Sequence, residues 1–499
     1  MPKTQRDIIA DRRHEVLEAR GAQISINLLG WKGGTPYIDA RLSRFAGEDS
    51  VDWQGGNRGN SGSAVTGRQQ QAHCLPYLSR IVDKINQYVF GTVPKRAGID
   101  AEFSCDADRQ GRCLDELMKK LNAYLTVARW AWVRIDAPRT DAGKEFSRSD
   151  KARLKLRPYW QIVSPLKVVD WFIDAAGVVQ WVLYEDTAYE AADPLAPAVS
   201  YKYRELWRDG KVTRYRYGDA GTAKEGKIVS QETVPLTYSN PAHPVPWVLA
   251  GEISAEPHWF DSCESVSRTI LDLESCNRQN FFNTVFPQPY LPASVIDMVK
   301  QNFQVDAEKA VSMVMGYNYP ILLGPDDPTP GYIMPDAAAT GSMGEELKRL
   351  RKELFDSIGL MVMQETRAVA SGESRAFDHN EVAQVMSERA GRLEDTERAA
   401  ASITAAWDTS LTPWQALYAR DYKIQSASEI IEPLTKALNV SMPAEMQRFT
   451  LSQLFEGIKR AAGNAVTPEL EQEIADAIAV FEPSAEFDLM VDDEGAEGA

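Results

Sequence analysis

The 499-residue sequence predicts a mixed α+β chain, helical on both flanks, with an antiparallel β-region between them. Three observations carry that expectation. Apolar residues recur at three-and-four spacing in 261–286, 343–361 and 378–407, the period of one helical face. Between 155 and 250, Val, Ile, Trp and Tyr alternate with polar residues, and Gly177, Asp209-Gly210 and the proline cluster of 240–246 interrupt them as turns. The chain is also longer than one core usually spans, so two to four lobes are expected.

Taken in order, residues 1–72 start with a basic helix-like arm. They then pass through DWQGGNRGNSGSAVTGRQQQ, a Gly/Ser/Asn/Gln-rich stretch expected to be flexible. Residues 73–257 combine helices, over 73–140, with the antiparallel β-region. A first long helix follows in 258–286, with Val266, Ile270, Leu273 and Phe281 on one face, and Pro287 and Pro289 end it. Residues 287–342 contain YPILLGPDDPTPGYIMP, whose prolines and glycines forbid a long helix, so the chain makes a compact excursion there. It returns along a second helix, 343–361, with Met343, Leu347, Leu350, Leu354, Ile358 and Met361 as a narrow stripe suited to packing on a neighbouring helix. At about 100° per residue, Lys348 and Lys352 fall opposite that stripe.

Residues 362–377 are expected to form a mobile loop, with Ser371, Gly372 and Ser374 at its centre and Arg367 and Arg375 on its flanks. Asp378 then reads as an N-cap with Glu381 in the capping-box position. It opens a long helix, within 378–423, with Val382, Met386, Leu393, Ala400, Ile403 and Trp407 on one side and Pro413 near its end. Residues 424–485 read as short helices and 486–499 as an acidic disordered end.

Charge divides unevenly. After Arg460 there is no Lys or Arg and there are eleven acidic residues, so of the net −16 the last 39 residues hold −11 and the rest −5. A duplex binder that gains affinity by displacing counterions needs a basic surplus, and this chain lacks one. A protein that surrounds moving DNA has the opposite requirement, because strong phosphate contacts slow passage. No apolar run approaches the roughly 20 residues that cross a bilayer. The first residues lack the apolar core of a signal peptide, so a soluble protein made in the cytoplasm is expected. The five cysteines, Cys74, Cys105, Cys113, Cys263 and Cys276, form no CxxC pair and read as reduced thiols.

Catalytic motifs are missing. None of Gly143-Lys144, Gly210-Lys211 and Gly226-Lys227 continues with the Ser or Thr of a phosphate-cradling loop, there is no HExxH, and 59–63 fails GxSxG at its last position. The five histidines, His14, His73, His243, His258 and His379, are dispersed and read as structural or surface groups. Asp106, Asp108, Gln110 and Gly111 imitate the start of a calcium loop, but Leu117 stands where a bidentate Glu belongs, so a solvated turn is expected. Tryptophans such as Trp130, Trp132, Trp171 and Trp181 alternate with apolar neighbours and read as packing residues. No enzyme activity, cofactor or metal is expected.

This order of parts resembles the portal proteins of tailed bacteriophages, as do local phrases over residues 75–480. SRIVDKINQYVFGTVPKRAGI (79–99) and LDELMKKLNAYLTVARWAWVRIDAP (114–138) are similar to the paired helices and first strand of portal wings. YWQIVSPLKVVDWFID (159–174) and YKYRELWRDGKVTRYRY (201–217) are similar to the wing's β-region. The resemblance assigns 258–286 and 343–361 to the stem, 287–342 to a small α/β clip, 362–377 to the tunnel loop, 378–423 to a long wing helix and 424–485 to a crown-like region. The region after Tyr422 is short and leaves no room for the helical barrel of some relatives.

The resemblance implies a homo-oligomeric ring, typically of twelve copies, at one capsid vertex of the virion. Double-stranded DNA passes through such a ring, and its partners are the terminase, head-completion or adaptor proteins and the major capsid protein. Lys348, Lys352, Arg367 and Arg375 are then candidates to face the DNA, with Ser371, Gly372 and Ser374 in the tunnel loop. Val266, Ile270, Leu273, Leu347, Leu350, Leu354 and Ile358 are candidates for packing between subunits in the stem. Two other classes stay open to the residues: another virion component, such as an adaptor or capsid subunit, and a cytoplasmic enzyme with a site that no motif marks.

Overall fold

A computed structural model describes residues 5–45, 67–138, 156–190, 199–218, 226–236, 238–285, 337–356, 372–407, 411–420, 443–462 and 468–480, with a few shorter pieces between them. The chain forms two compact units, Met1–Tyr422 and Lys423–Ala499. The architecture is α+β, and every described strand pairing is antiparallel.

The first unit opens with helices α1 (Gln5–Asp11), α2 (Glu15–Lys32) and α3 (Thr35–Arg41), followed by a short turn of helix, α4 (Arg68–Gln71). Helix α5 (Tyr77–Val89) buries Leu78, Ile81, Val82, Ile85 and Val89, a single stripe at helical spacing. A short strand β1 (Lys95–Ala97), helix α6 (Ala101–Cys105) and helix α7 (Leu114–Ala128) follow. Arg129 caps α7 in the left-handed conformation, φ 73°, and turns the chain directly into strand β2 (Trp130–Asp136).

All seven residues of β2 are buried because it is the middle strand of a three-stranded sheet, between β3 (Tyr159–Val163) and the later β8 (Trp247–Gly251). A five-stranded meander runs β4 (Val168–Ile173), β5 (Val179–Glu190), β6 (Val199–Arg208), β7 (Lys211–Tyr217) and β9 (Ile228–Pro235). Asp209 (φ 51°) and Gly210 (φ 68°) make the two-residue turn between Arg208 and Lys211, where both positions need positive φ. The Trp132, Trp171, Trp207 and Trp247 rings meet between the sheets at centroid distances of 5.7 to 6.5 Å. These tryptophans are core residues.

Helix α8 (Trp259–Val285) leaves the sheets and helix α9 (Ala337–Asp356) returns beside it. Strands β10 (Gln288–Tyr290) and β11 (Gly331–Ile333) pair at their shared end. Helix α10 (Gly372–Trp407) is the longest described, and strand β12 (Gln415–Leu417) pairs with β1. In the second unit, α11 (Ala444–Ala462) and α12 (Pro468–Val480) pack on each other.

Several expected boundaries move. The return helix starts at Ala337, not at 343, because three consecutive alanines, the best helix formers, precede Thr340. The long helix starts at Gly372, so Gly372, Ser374 and Arg375 lie in a helix and not in a loop, and Asp378 is an interior residue in place of an N-cap. Glu373, Arg375 and Ala376 sustain a helix, and no proline stops it. Ser371, Arg367 and Ile358 lie outside the described residues. The same helix ends at Trp407, ahead of Pro413, so 378–423 is not one helix but a helix followed by a strand.

The calcium-like segment is a turn closed on itself. Asp108 accepts from Gln110 N (2.8 Å), Arg112 N (3.2 Å) and the Arg112 side chain, and Asp106 accepts from Gly111 N (2.7 Å). None of the five cysteines is in a disulfide. No helix among the described residues is long and apolar enough to cross a membrane.

Candidate functional site

The pair α8–α9 with its ribbon is the feature that the sequence singles out. Only two residues separate Val285 from Gln288 and three separate Ile333 from Ala337, so the β10–β11 pairing holds the end of one helix beside the start of the other. The helices therefore run antiparallel. Ile270 from α8 and Leu347, Leu350 and Leu354 from α9 are at most 6% exposed and belong to one continuous core, with Val266, Leu273 and Phe355 packed against it.

The sequence reading gave that stripe to contacts between subunits, and the single chain already supplies cover for it. Ile270, Leu347, Leu350 and Leu354 are already covered within a single chain, because the excursion folds the two stripes against each other. Val266 and Leu273 are partly covered in the same way. Phe281, on the same face nearer the ribbon, is 60% exposed.

A polar joint supplements the apolar one. Arg351 Nη2 donates to Glu274 Oε1 at 2.6 Å, Tyr77 OH donates to the same oxygen at 3.3 Å, and the Tyr77 and Phe355 rings meet edge-on at 6.4 Å. The hydrogen bond it donates to Glu274 raises the Arg351 pKa above its ordinary value.

A second face of α8 is a polar seam that the N-terminal arm closes. Asp261, Glu264, Arg268, Asp272 and Ser275 fall at three-and-four spacing along it. Asp261 pairs with Arg20 (2.7 Å) and accepts from Asn27 Nδ2 (2.8 Å). Glu264, 1% exposed, takes both Arg41 Nε (2.8 Å) and Nη2 (3.1 Å), and Tyr37 OH (3.2 Å). Burial, with the Glu264 charge, pushes the Tyr37 hydroxyl far above its ordinary pKa. Asp272 accepts from Ser43 N (2.8 Å) and Oγ (2.7 Å), and Arg268 Nη2 donates to Ser43 Oγ (3.0 Å).

Arg68 completes the seam. It is 1% exposed, donates to Ser275 Oγ (2.7 Å) and to the Ser43 carbonyl, pairs with Glu48 (2.6 Å), and lies over the Phe45 and Trp53 rings. The end of the stretch expected to be flexible is thus anchored, because a buried guanidinium holds it there. The seam was missed in the sequence, where only the apolar face of this helix was read. The signal was available in the regular spacing of Asp261, Glu264, Arg268 and Asp272.

What α8 and α9 leave exposed differs in character. On α8 it is Ser262, Ser265 and Thr269 along the middle, with Trp259 at the start and Arg278 and Phe281 towards the ribbon. On α9 it is Glu345, Lys348, Arg349, Lys352 and Glu353. Lys348 pairs with Glu345 (2.8 Å), and Arg349 bridges Glu346 (2.7 Å) and Glu353 (2.9 Å). Lys352 is exposed and has no ion pair among the described residues. Arg375 sits near the start of α10.

Helix α10 carries a buried polar centre that also escaped sequence reading. Glu397, 0% exposed, accepts from Arg96 Nε (2.6 Å) and Nη2 (3.2 Å), Trp414 Nε1 (2.9 Å) and Tyr418 OH (2.7 Å), while Arg96 Nη1 reaches Asp115 (2.7 Å). One carboxylate thereby ties α10 to β1 and to the chain around β12. Burial, then the Glu397 charge, holds the Tyr418 hydroxyl protonated far above its ordinary pKa. The clue was a charge placed between Leu393 and Ala400 on the apolar face.

No family model matches the chain, and a search of the curated proteins finds no match. Among the described residues no group of three or more His, Cys, Asp or Glu is arranged to hold a metal ion.

Proposed function

We propose that the chain is the portal subunit of a tailed bacteriophage, one copy of a ring of about twelve at a capsid vertex, as in the family that the sequence resembles. The observation that carries this reading is the order α8, ribbon, α9, α10: two antiparallel rods joined at their far end by a paired excursion, then a long helix that packs back onto the β-region. In the ring, the rods are the stem, 287–336 the clip, and the sheets with α5 and α7 the wing.

The surface chemistry of the rods supports a passive conduit. The exposed face of α9 pairs most of its cations with its own glutamates, so it offers passing phosphates little uncompensated charge, and weak phosphate contacts favour sliding. Lys348 and Lys352 are the stem cations placed to meet DNA. With Ile270, Leu347, Leu350 and Leu354 spent inside the chain, contacts between neighbours fall to the exposed faces, and a rotation that closes makes them a ring. Terminase, adaptor and head-completion proteins dock on the clip, and the capsid protein meets the wing.

Electron microscopy of the purified chain, alone and co-expressed with its capsid and scaffolding proteins, tests the proposal. A ring with an axial hole wide enough for a duplex is expected. Monomers or dimers under both conditions would overturn it.

A further inference from the structure

Between the end of α7, the end of β8, the start of α8 and the side of α10 lies a cavity of about 270 Å³. Its charged lining is Arg129, Arg389, Arg392, Glu252 and Glu388, with His258 beside them. Arg129 pairs with Glu252 (3.1 Å) and Glu256 (3.8 Å), and Arg392 with Glu388 (2.6 Å). Arg389 differs. Its guanidinium donates to the Thr126 hydroxyl and, at 3.4 Å, to Asn122 Oδ1, both through Nη1 and both to neutral oxygens. No carboxylate among the described residues stands within ion-pairing distance of it.

This half-buried guanidinium, set beside neutral partners, lacks the counter-charge that burial ordinarily demands. Burial, with repulsion from Arg392, pushes the Arg389 pKa down to about 10, whereas the buried guanidinium of Arg96, facing Glu397, is pushed up. His258 cannot supply negative charge, since its Nε2 donates to the Thr126 carbonyl (3.0 Å) and the ring is held neutral. The backbone is built close here. At Gly251 (φ 82°) a Cβ would lie 2.3 Å from the Arg129 carbonyl, so only glycine lets β8 approach the cavity's edge.

We propose that this cavity binds one carboxylate group, free or on an acidic side chain, with Arg389 as its principal ligand and Arg129 and Arg392 at the rim. Arg129 and Arg392 are already paired with their own glutamates, so Arg389 supplies the one uncompensated positive charge, which matches a monoanion, and Glu252 and Glu388 repel a dianion such as phosphate. Planar two-oxygen acceptors also suit the guanidinium fork. Trp259 and Val385, both partly exposed at the lining, give the aliphatic stem of an acidic side chain an apolar wall.

The test follows thermal unfolding of the full-length protein by tryptophan fluorescence, with sodium propionate, a capped glycyl-glutamyl-glycine peptide or inorganic phosphate added, against sodium chloride at equal ionic strength. At ten times its dissociation constant, the carboxylate is expected to raise the midpoint by about 2 °C. Arg389→Met abolishes the rise. Response to both carboxylates marks a site open to free ligand, and response to the peptide alone marks one that reads an acidic side chain; either result supports the proposal. No response to either, a larger response to phosphate, or an undiminished response in Arg389→Met overturns it. Should that variant fail to fold, phenylglyoxal labelling of the wild-type chain decides. At the same ligand excess, modification of Arg389 is expected to slow roughly tenfold while exposed Arg349 is unaffected, and equal rates at both arginines with and without ligand overturn the proposal.

Discussion

Replacing Glu397 probes the polar centre that joins α10 to β1 and β12. Its carboxylate is 0% exposed and receives four hydrogen bonds, two of them from Arg96. In Glu397→Ala, Trp414 Nε1 and Tyr418 OH lose their acceptor at about 1–3 kcal/mol each. Arg96 keeps only Asp115, and breaking a buried pair from one side costs about 3–5 kcal/mol. The terms overlap, since one relaxation serves all three donors, so a net loss of about 5 kcal/mol is expected. All twelve tryptophans lie at or before Trp414, so urea unfolding followed by their fluorescence reports the first unit alone. With a slope of about 3 kcal/mol per M, the midpoint should fall by about 1.5 M. Replacing both charges, in Arg96→Met with Glu397→Leu, should recover the part of the loss that comes from the stranded Arg96 charge, while Trp414 and Tyr418 stay without their acceptor. A loss below about 1 kcal/mol in Glu397→Ala, or a double variant no better than the single, would refute the reasoning.

Two further predictions concern the rods and the protonation of the core. Leu350→Asp places a charge at a position 6% exposed between α8 and α9 and should destabilise the chain by about 3–5 kcal/mol in any state of assembly. Lys352→Asp, two residues on and on the exposed side, should stay within about 0.5 kcal/mol of wild type. A Leu350→Asp chain that folds normally and only fails to assemble would restore the stripe to contacts between subunits. Burial depresses His258 from 6.5 to about 4, so between those values the unfolded chain binds a proton that the folded chain excludes. Its contribution is therefore complete above pH 6.5 and is lost as pH falls towards 4, by about 3 kcal/mol at the bottom of that window. Urea midpoints across pH 4–7 should flatten in His258→Gln, and an unchanged slope would place the titration elsewhere.

The elements with a clear period were legible in the sequence. The spacing of Val266, Ile270 and Leu273 gave α8 within two residues at its start, and Asp209-Gly210 gave the hairpin of β6 and β7 through the one turn chemistry that fits. Boundaries governed by propensity were less legible. Ser371-Gly372-Glu373-Ser374 has the composition of a loop, yet from Gly372 onward it is the first turn of α10, since Arg375 and Ala376 carry the helix backwards. Partnership was the least legible. The stripe of Leu347, Leu350 and Leu354 demands a neighbouring helix without saying whose, and here the same chain provides it. Glu397, Arg68 and Arg389 were hidden for a related reason: a charge looks solvated until the fold brings its partner, or the lack of one, from more than a hundred residues away.

The seam along α8 has a consequence for how the chain is made. Ser43, Arg41, Asn27 and Arg68 meet partners 207 to 234 residues downstream. At about 5–20 residues per second, those groups leave the ribosome roughly 10–50 s before their counterparts exist. The arm is therefore synthesised well before the groups it locks onto, and its arginines spend that interval without those partners, beside a growing β-region.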